Sequence, residues 1–98
     1  MGMSVNKIDY DVLNNAITVY ANQASGLGEI VSQLVKMNGE IQASCTNETL
    51  SAFNERFESD HKIALQKAQE SIQEISDYIK KYVGSRIEED QSGAAALR

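Results

Sequence analysis

The chain has 98 residues, of which 42% are hydrophobic, and it contains neither Pro nor Trp. A chain of this length has room for a single hydrophobic core, and the absence of Pro favours long uninterrupted helices. The net charge of −5 and the lack of any basic run longer than Lys80-Lys81 argue against a nucleic-acid partner and against an electrostatic membrane anchor.

The sequence also lacks the features of a signal peptide and of a membrane-spanning helix. No basic N-terminal flank precedes an apolar run of the length that a signal peptide needs, and there is no apolar span of 18 residues. We therefore expect no direct membrane insertion. The expected location is cytoplasmic before any export, and export would use a route independent of a signal peptide.

Apolar residues at steps of three and four predict a first helix over about residues 8–38, with a heptad line from Tyr10 to Leu34. A second apolar line beside it makes the stripe wider than one neighbouring helix can cover. Gly26 and Gly28 interrupt this helix at a cost of about 1 kcal/mol each relative to Ala. They indicate either a kink or a close approach of another backbone. The second line consists of Val12, Val19, Ile30 and Met37.

The chain is expected to turn at about residues 39–47, which end in several residues that cap helices or reverse the chain. Thr46 or Asn47 is the expected N-cap of a second helix over about residues 48–88. Residues 89–98 are expected to form a flexible tail. The apolar line of the second helix runs through Leu50, Phe53, Phe57, His61, Ala64, Ala68, Ile72, Ile75, Ile79 and Tyr82.

A single cysteine and a single histidine leave little room for catalytic chemistry. Cys45 cannot form an internal disulfide, and His61 cannot by itself complete a catalytic triad or nucleate a metal cluster. Glu58 and His61 have the Glu-x-x-His spacing of di-metal helical bundles, but the second such pair would have to come from another chain. We therefore predict no catalytic residue, no metal and no cofactor, and an enzyme is not expected.

Together these patterns predict an all-α chain that forms one domain, residues 1–98, as an antiparallel two-helix hairpin. Because two helices side by side bury only one stripe each, two hairpins are expected to pair into a four-helix bundle. The partner is then either a second copy of the chain or a helical client. The residues expected to pack against other helices are Val12, Leu13, Ile17, Val19, Tyr20, Leu27, Ile30, Val31, Leu34, Phe53, Phe57, Ile72, Ile75 and Ile79.

An acidic hairpin of about 100 residues, with a central turn and no signal peptide, resembles the Trp-X-Gly, early-secreted-antigen-like family of type VII secretion substrates. In that family an aromatic residue of the second helix follows the Trp of the turn by eight residues, and here Phe53 follows Cys45 by eight. Because Cys45-Thr46-Asn47 stands where the family has Trp-X-Gly, the chain is similar to the divergent branch that lacks this turn and accompanies Leu-X-Gly toxins. Asn47 tolerates the left-handed conformation that the family's Gly would take.

This resemblance implies a function in type VII secretion, as a targeting partner, chaperone or co-secreted substrate that acts through helix–helix packing. The implied partners are the helical N-terminal domain of a Leu-X-Gly toxin and the secretion machinery. The family's C-terminal export signal is an aromatic residue followed four residues later by an acid, a spacing that this chain does not reproduce. The residues that would contribute to such a signal here are Tyr78, Tyr82, Glu88, Glu89 and Asp90.

Two other functions are compatible with the residues. The chain can be a self-assembling structural or adaptor coiled-coil homodimer with no role in secretion. A metal enzyme assembled across two chains is the remaining alternative, and it would need His61 from both copies.

Overall fold

A computed structural model describes residues 7–96 of the chain, with side-chain detail as far as residue 89. Within this part every regular element is helical. The second, third and fourth elements follow one another without a break and form one long rod, called the second rod below. The elements are α1 (Tyr10–Ser44), α2 (Glu48–Arg56), a π-helical turn (Phe57–His61) and α3 (Lys62–Ala96).

α1 extends further along the chain than predicted. The Asp9 side chain caps its start by accepting a hydrogen bond from a first-turn N–H at 3.2 Å, and the Cys45 N–H donates to the Ile41 carbonyl at 2.9 Å at its end. The expected end near residue 38 is wrong because Gly39 costs only about 1 kcal/mol. That cost is offset by packing, since Asn38 is buried and Ile41 is half-buried.

The turn between α1 and the second rod is correspondingly short, covering only Cys45, Thr46 and Asn47. The Asn47 side chain caps α2, as predicted, and its Oδ1 accepts hydrogen bonds from the N–H groups of Thr49 at 2.7 Å and Leu50 at 3.3 Å. Asn47 has a φ of −166° and is therefore extended. Asn47 therefore does not use the left-handed conformation that it could tolerate, and no described residue has a positive φ.

The two rods run antiparallel. The Ser76 hydroxyl donates a hydrogen bond to the Ile17 carbonyl at 2.8 Å, and the Asn38 side-chain amide donates to the Asn54 side chain. As residue numbers rise along α1, the numbers of their partners in the second rod fall. The described part of the chain is thus a helical hairpin, as predicted.

The hairpin is a single layer of two helices. It measures 74 × 29 × 18 Å and has a Cα radius of gyration of 22.0 Å, whereas a compact domain of this length would have about 13 Å. Its smallest dimension, 18 Å, is less than the thickness of two stacked helices, because one helix with its side chains is about 10–12 Å across. The described chain therefore leaves both broad sides of the hairpin open.

The interior between the rods, called the seam below, is thin. Its buried hydrophobic residues are Ala24, Val31, Phe57 and Val83, and the polar residues Asn38 and Ser76 are buried with them. No described side chain is both large and less than 2% exposed. α3 nevertheless continues to Ala96, so residues 89–96 are helical instead of the predicted flexible tail; residues 97–98 lie outside the described part.

The π-helical turn decides which residues of the second rod face α1. Phe57 and Leu65 are eight residues apart, one more than a heptad, and the π turn absorbs the extra residue so that both lie in the seam. Phe57 is 7% exposed and Leu65 is half-buried. The continuous apolar line predicted for this helix is therefore wrong between Phe57 and Ile72, although Ile72 and Ile79 do lie in the seam. The residues just before each seam position are exposed instead, namely His61, Ala64 and Ala68.

Replacing Asn38 should destabilise the hairpin. The Asn38→Ala variant loses the hydrogen bond to Asn54 and leaves a partly buried oxygen without its donor, which costs about 1–3 kcal/mol. Urea denaturation followed by circular dichroism measures this loss. The matched control is Asn22→Ala on the exposed side of α1, for which we expect a change within about 0.5 kcal/mol. Equal stability of the two variants would show that the Asn38 pair contributes nothing to the seam.

Candidate helix-packing surface

The residues predicted to pack against helices divide into two equal groups in the structure. One group lies buried or half-buried in the seam: Leu13, Ile17, Leu27, Val31, Phe57, Ile72 and Ile79. The other group is exposed, and it includes three residues of the second apolar line noted in the sequence. Its members are Val12, Val19, Tyr20, Ile30, Leu34, Phe53 and Ile75. The hairpin thus uses half of the predicted packing residues and leaves the other half uncovered.

The largest uncovered feature is a row of four apolar residues on α1, called the α1 line below. Val12, Val19, Ile30 and Met37 are 46–61% exposed. At about 100° of rotation per residue, their spacing keeps all four within a narrow arc of the helix surface. They are the members of the second line noted in the sequence, which one neighbouring helix was expected to leave bare.

The second rod adds apolar residues on the same broad side. Ile75, Tyr78 and Tyr82 are exposed, and they are rotated from the seam in the same sense as the α1 line. Because the rods are antiparallel, an equal sense of rotation brings residues of both rods to one side of the hairpin. We call this side, made of the α1 line, Leu34, Ile75, Tyr78 and Tyr82, the apolar side.

Charged residues avoid the apolar side over most of its length; the exception is Glu89, which follows Tyr82 by seven residues and pairs with Arg86. Between Val12 and Met37 the only charges on α1 are Glu29 and Lys36, and each directly precedes a residue of the α1 line, about 100° around the helix. On α3 the charges at Lys67, Glu70, Glu74, Asp77 and Lys81 recur at steps of three and four and therefore share a separate face of that helix. A partner for the apolar side must therefore be apolar as well.

The apolar side is large enough for a stable protein interface. The α1 line extends about 38 Å at 1.5 Å per residue, and two adjacent helices are about 20 Å wide. Their product, about 760 Å², is close to the roughly 800 Å² that each partner contributes to a standard interface.

Gly26 and Gly28 do not kink α1, which runs unbroken from Tyr10 to Ser44. Gly28 lies under the side chain of Gln69 from the second rod, because a Cβ on Gly28 would come within 2.6 Å of the Gln69 Nε2 atom. The atoms close to Gly28 belong to a side chain, so the close approach of another backbone that the sequence suggested is not what fills this position. Gly26 has no atom within 4 Å of its Cβ position and lies on an open face.

The turn and the predicted export region are also exposed. Cys45, Thr46 and Asn47 are open to solvent at the tip of the hairpin, and Phe53, one helical turn before the buried Phe57, is 47% exposed. The acids that were expected to complete an export signal lie on the same helix as Tyr78 and Tyr82. Glu88 and Glu89 are exposed, with Glu89 paired to Arg86 at 3.0 Å, and the side chain of Asp90 lies outside the described part.

The described side chains form no group of three or more His, Cys, Asp and Glu residues that could hold a metal ion. Glu58 pairs with Lys62 at 3.0 Å, and His61 beside it is exposed. None of the helices between residues 7 and 96 combines the length and the hydropathy needed to cross a membrane. No protein-family model, curated protein or solved structure matches the chain.

Proposed function

We propose that the chain is a small helical partner protein of type VII secretion, which acts as a targeting partner, chaperone or co-secreted substrate by packing its apolar side against helices of a client. The observation that carries this proposal is the uncovered α1 line, whose four residues are 46–61% exposed. A surface of this size and composition is typical of a site for another protein.

The character of the surface favours a helical client. Its apolar residues recur at steps of three and four, so they form ridges that fit the grooves of another helix. Two further helices laid on the apolar side complete a four-helix bundle, which gives every apolar stripe a partner. The helical N-terminal domain of a Leu-X-Gly toxin would supply such helices.

The ends of the hairpin extend the proposal to export. Phe53 lies near the turn and Tyr78 and Tyr82 lie toward the other end, so exposed aromatic residues occur at both ends of the hairpin. In a complex with a client, the end of α3 and the client's helices would together form a composite signal for the secretion machinery. This arrangement does not require the complete aromatic-and-acid spacing on this chain.

A second candidate function is a structural or adaptor homodimer with no role in secretion. It is favoured by the same uncovered side, because each hairpin supplies two helices and two copies complete a four-helix bundle without any other protein. The two candidates differ in the partner that completes the bundle, since only the first requires a client.

Co-expression separates these candidates. The tagged chain is produced together with the helical N-terminal domain of a Leu-X-Gly toxin, and the complex is recovered through the tag. We expect a stoichiometric complex, and we expect deletion of the chain to reduce the amount of toxin in the culture medium. Failure to recover the toxin domain, together with unchanged export, would contradict the secretion function. A dimer of the chain under those conditions would support the structural alternative.

A further inference from the structure

The extra residue in the π-helical turn sets the rotation of α3 against α1. Leu65 follows Phe57 by eight residues, and the turn absorbs the eighth so that both side chains face the seam. The Lys62 N–H donates to the Phe57 carbonyl five residues earlier, which is the hydrogen bond of a π-helix. In a regular α-helix, each residue of α3 would take the place now held by the residue after it. That change is a rotation of α3 by about 100° about its own axis.

Such a rotation would change the composition of the apolar side. Ile75, Tyr78 and Tyr82 are exposed there, and each is directly preceded in the sequence by a charged residue. After the rotation these three side chains would face α1, and the charged residues would take their places. The charged residues are Glu74, Asp77 and Lys81, which belong to the charged face of α3. The apolar side would then no longer suit an apolar partner, because packing would bury charges without counterparts.

The second rod carries apolar residues for both rotations of α3. The present rotation places the polar residues Gln69 and Ser76 in the seam. The other rotation would replace them by Ala68 and Ile75 and would continue the heptad that starts at Phe57 without interruption. Each rotation thus places one apolar set in the seam and leaves the other set outside it. The set in the seam now is Leu65, Ile72, Ile79 and Val83, and the alternative set is Ala64, Ala68, Ile75, Tyr78 and Tyr82.

The turn can rearrange without the loss of its own side-chain contacts. Of its five residues only Phe57 is buried, and Phe57 faces the seam in both rotations. Two ion pairs span the turn, Arg56 with Asp60 and Glu58 with Lys62, each at 3.0 Å. The partners of each pair are four residues apart, a spacing that also allows pairing in a regular α-helix. Release of the turn therefore leaves both ion pairs possible.

We propose that the π turn is a rotational switch that controls the apolar side. With the turn formed, Ile75, Tyr78 and Tyr82 extend the apolar surface of the α1 line onto the second rod. With the turn released, α3 is rotated and charged residues lie there instead. A partner on the apolar side contacts the apolar set only when the turn is formed, so binding favours the formed turn. This regulation rests on the proposed function of the apolar side, whereas the two rotations of α3 do not.

Two variants each favour one rotation. In Ala64→Leu/Leu65→Ala the leucine follows Phe57 by seven residues, so the released turn places that leucine in the seam. Deletion of Ser59 acts in the opposite direction. Leu65 then follows Phe57 by seven residues, and a regular α-helix holds the present rotation without a π turn.

Thiol labelling at two serines of α3 reports its rotation. Ser76 is 2% exposed and would become exposed on release, whereas Ser71 is exposed and would enter the seam. Ser76→Cys and Ser71→Cys are made separately in a Cys45→Ser background, so that each chain carries one thiol. We expect Ala64→Leu/Leu65→Ala to raise the labelling rate at position 76 at least tenfold and to lower the rate at position 71. Unfolding of α3 would instead raise both rates.

Deletion of Ser59 tests whether the unmodified chain exchanges between the two rotations. We expect the deletion to slow labelling at position 76 at least threefold, because a chain without the extra residue no longer gains by rotating. The matched control is Gln66→Lys/Lys67→Gln, which exchanges two adjacent exposed residues and should leave both rates within about twofold. Equal rates at position 76 in the deletion variant and the unmodified chain would overturn the switch. Faster labelling at both positions in Ala64→Leu/Leu65→Ala would also overturn it.

Recovery of the toxin domain connects the switch to the proposed function. We expect the tagged Ala64→Leu/Leu65→Ala chain to recover at least tenfold less of the toxin domain than the chain without Ser59. Equal recovery by these two variants would contradict control of the apolar side by the π turn. Failure of every variant and of the unmodified chain to recover the domain would contradict the proposed function, and the labelling rates would still decide whether α3 has two rotations.

Discussion

The Phe57→Ala variant should lose about 3–5 kcal/mol of unfolding free energy, the largest loss expected from any single truncation in this chain. Phe57 is the largest side chain in the seam and is 7% exposed. Because a domain of this size is stable by only about 5–15 kcal/mol, this loss should remove a large share of the stability of the hairpin. Circular dichroism and chemical denaturation measure the loss.

Phe53 provides the matched control, one helical turn earlier. It is 47% exposed in the hairpin, so Phe53→Ala should cost less than about 1 kcal/mol. If Phe53 belongs to a partner surface, the same variant should weaken assembly. Equal destabilisation by the two substitutions would mean that Phe53 and Phe57 are equally buried and that the placement of the π turn is wrong.

Charges introduced on the α1 line should abolish assembly while leaving the hairpin folded. In a Val19→Asp/Ile30→Asp variant, two carboxylates replace side chains that are 46% and 53% exposed, so the seam is not disturbed. In an assembled bundle these carboxylates would be desolvated without partners. Loss of two central contacts at an interface typically costs more than 2 kcal/mol, which is a weakening of at least 30-fold. Sedimentation of the chain and recovery of the toxin domain with the tagged chain measure how far assembly is weakened.

The control for this variant carries the same two charges on another face of α1. Thr18→Asp/Ser32→Asp places them at exposed positions more than a quarter of a turn away from the α1 line. We expect this control to assemble as tightly as the unmodified chain. Assembly that is lost equally in both variants would indicate a general effect of charge and would remove the α1 line from the interface.

Much of the fold follows from the spacing of apolar residues. Steps of three and four indicate both long helices, and the run of small polar residues before Glu48 indicates the turn and its cap at Asn47. These features are local, because each depends on residues within one or two helical turns. The uncovered second line on α1 was also predictable, since its residues lie too far around the helix to reach the same neighbour as the first.

The remaining features depend on pairing between the rods, which the sequence pattern does not encode. Asn38, Asn54 and Ser76 are polar and resemble solvent-facing residues, yet they lie in the seam because each finds a hydrogen-bond partner across it. The π turn is equally hidden, because the apolar residues on both sides of it fit an uninterrupted heptad. The one local sign of the π turn is that Leu65 follows Phe57 by eight residues. This sign is masked because Ala64 follows Phe57 by seven and so continues the heptad.

A thin seam and a wide apolar side together suggest how the hairpin works. Two polar residues are buried beside only four hydrophobic ones, so the described seam stabilises the hairpin weakly for its length. A partner on the apolar side would add a second apolar layer of about the same extent. Folding and assembly should therefore be coupled, and stability should rise with protein concentration.

The solvent exposure of individual methyl groups can be followed by paramagnetic relaxation with a soluble nitroxide in NMR, in the dilute chain and in the assembled one. We predict that the methyl groups of Val12, Val19 and Ile30 become protected on assembly, while Ile63, exposed on α3 away from the apolar side, remains accessible. Assembly that leaves Val12, Val19 and Ile30 accessible and protects Ile63 would contradict the assignment of the apolar side as the partner surface.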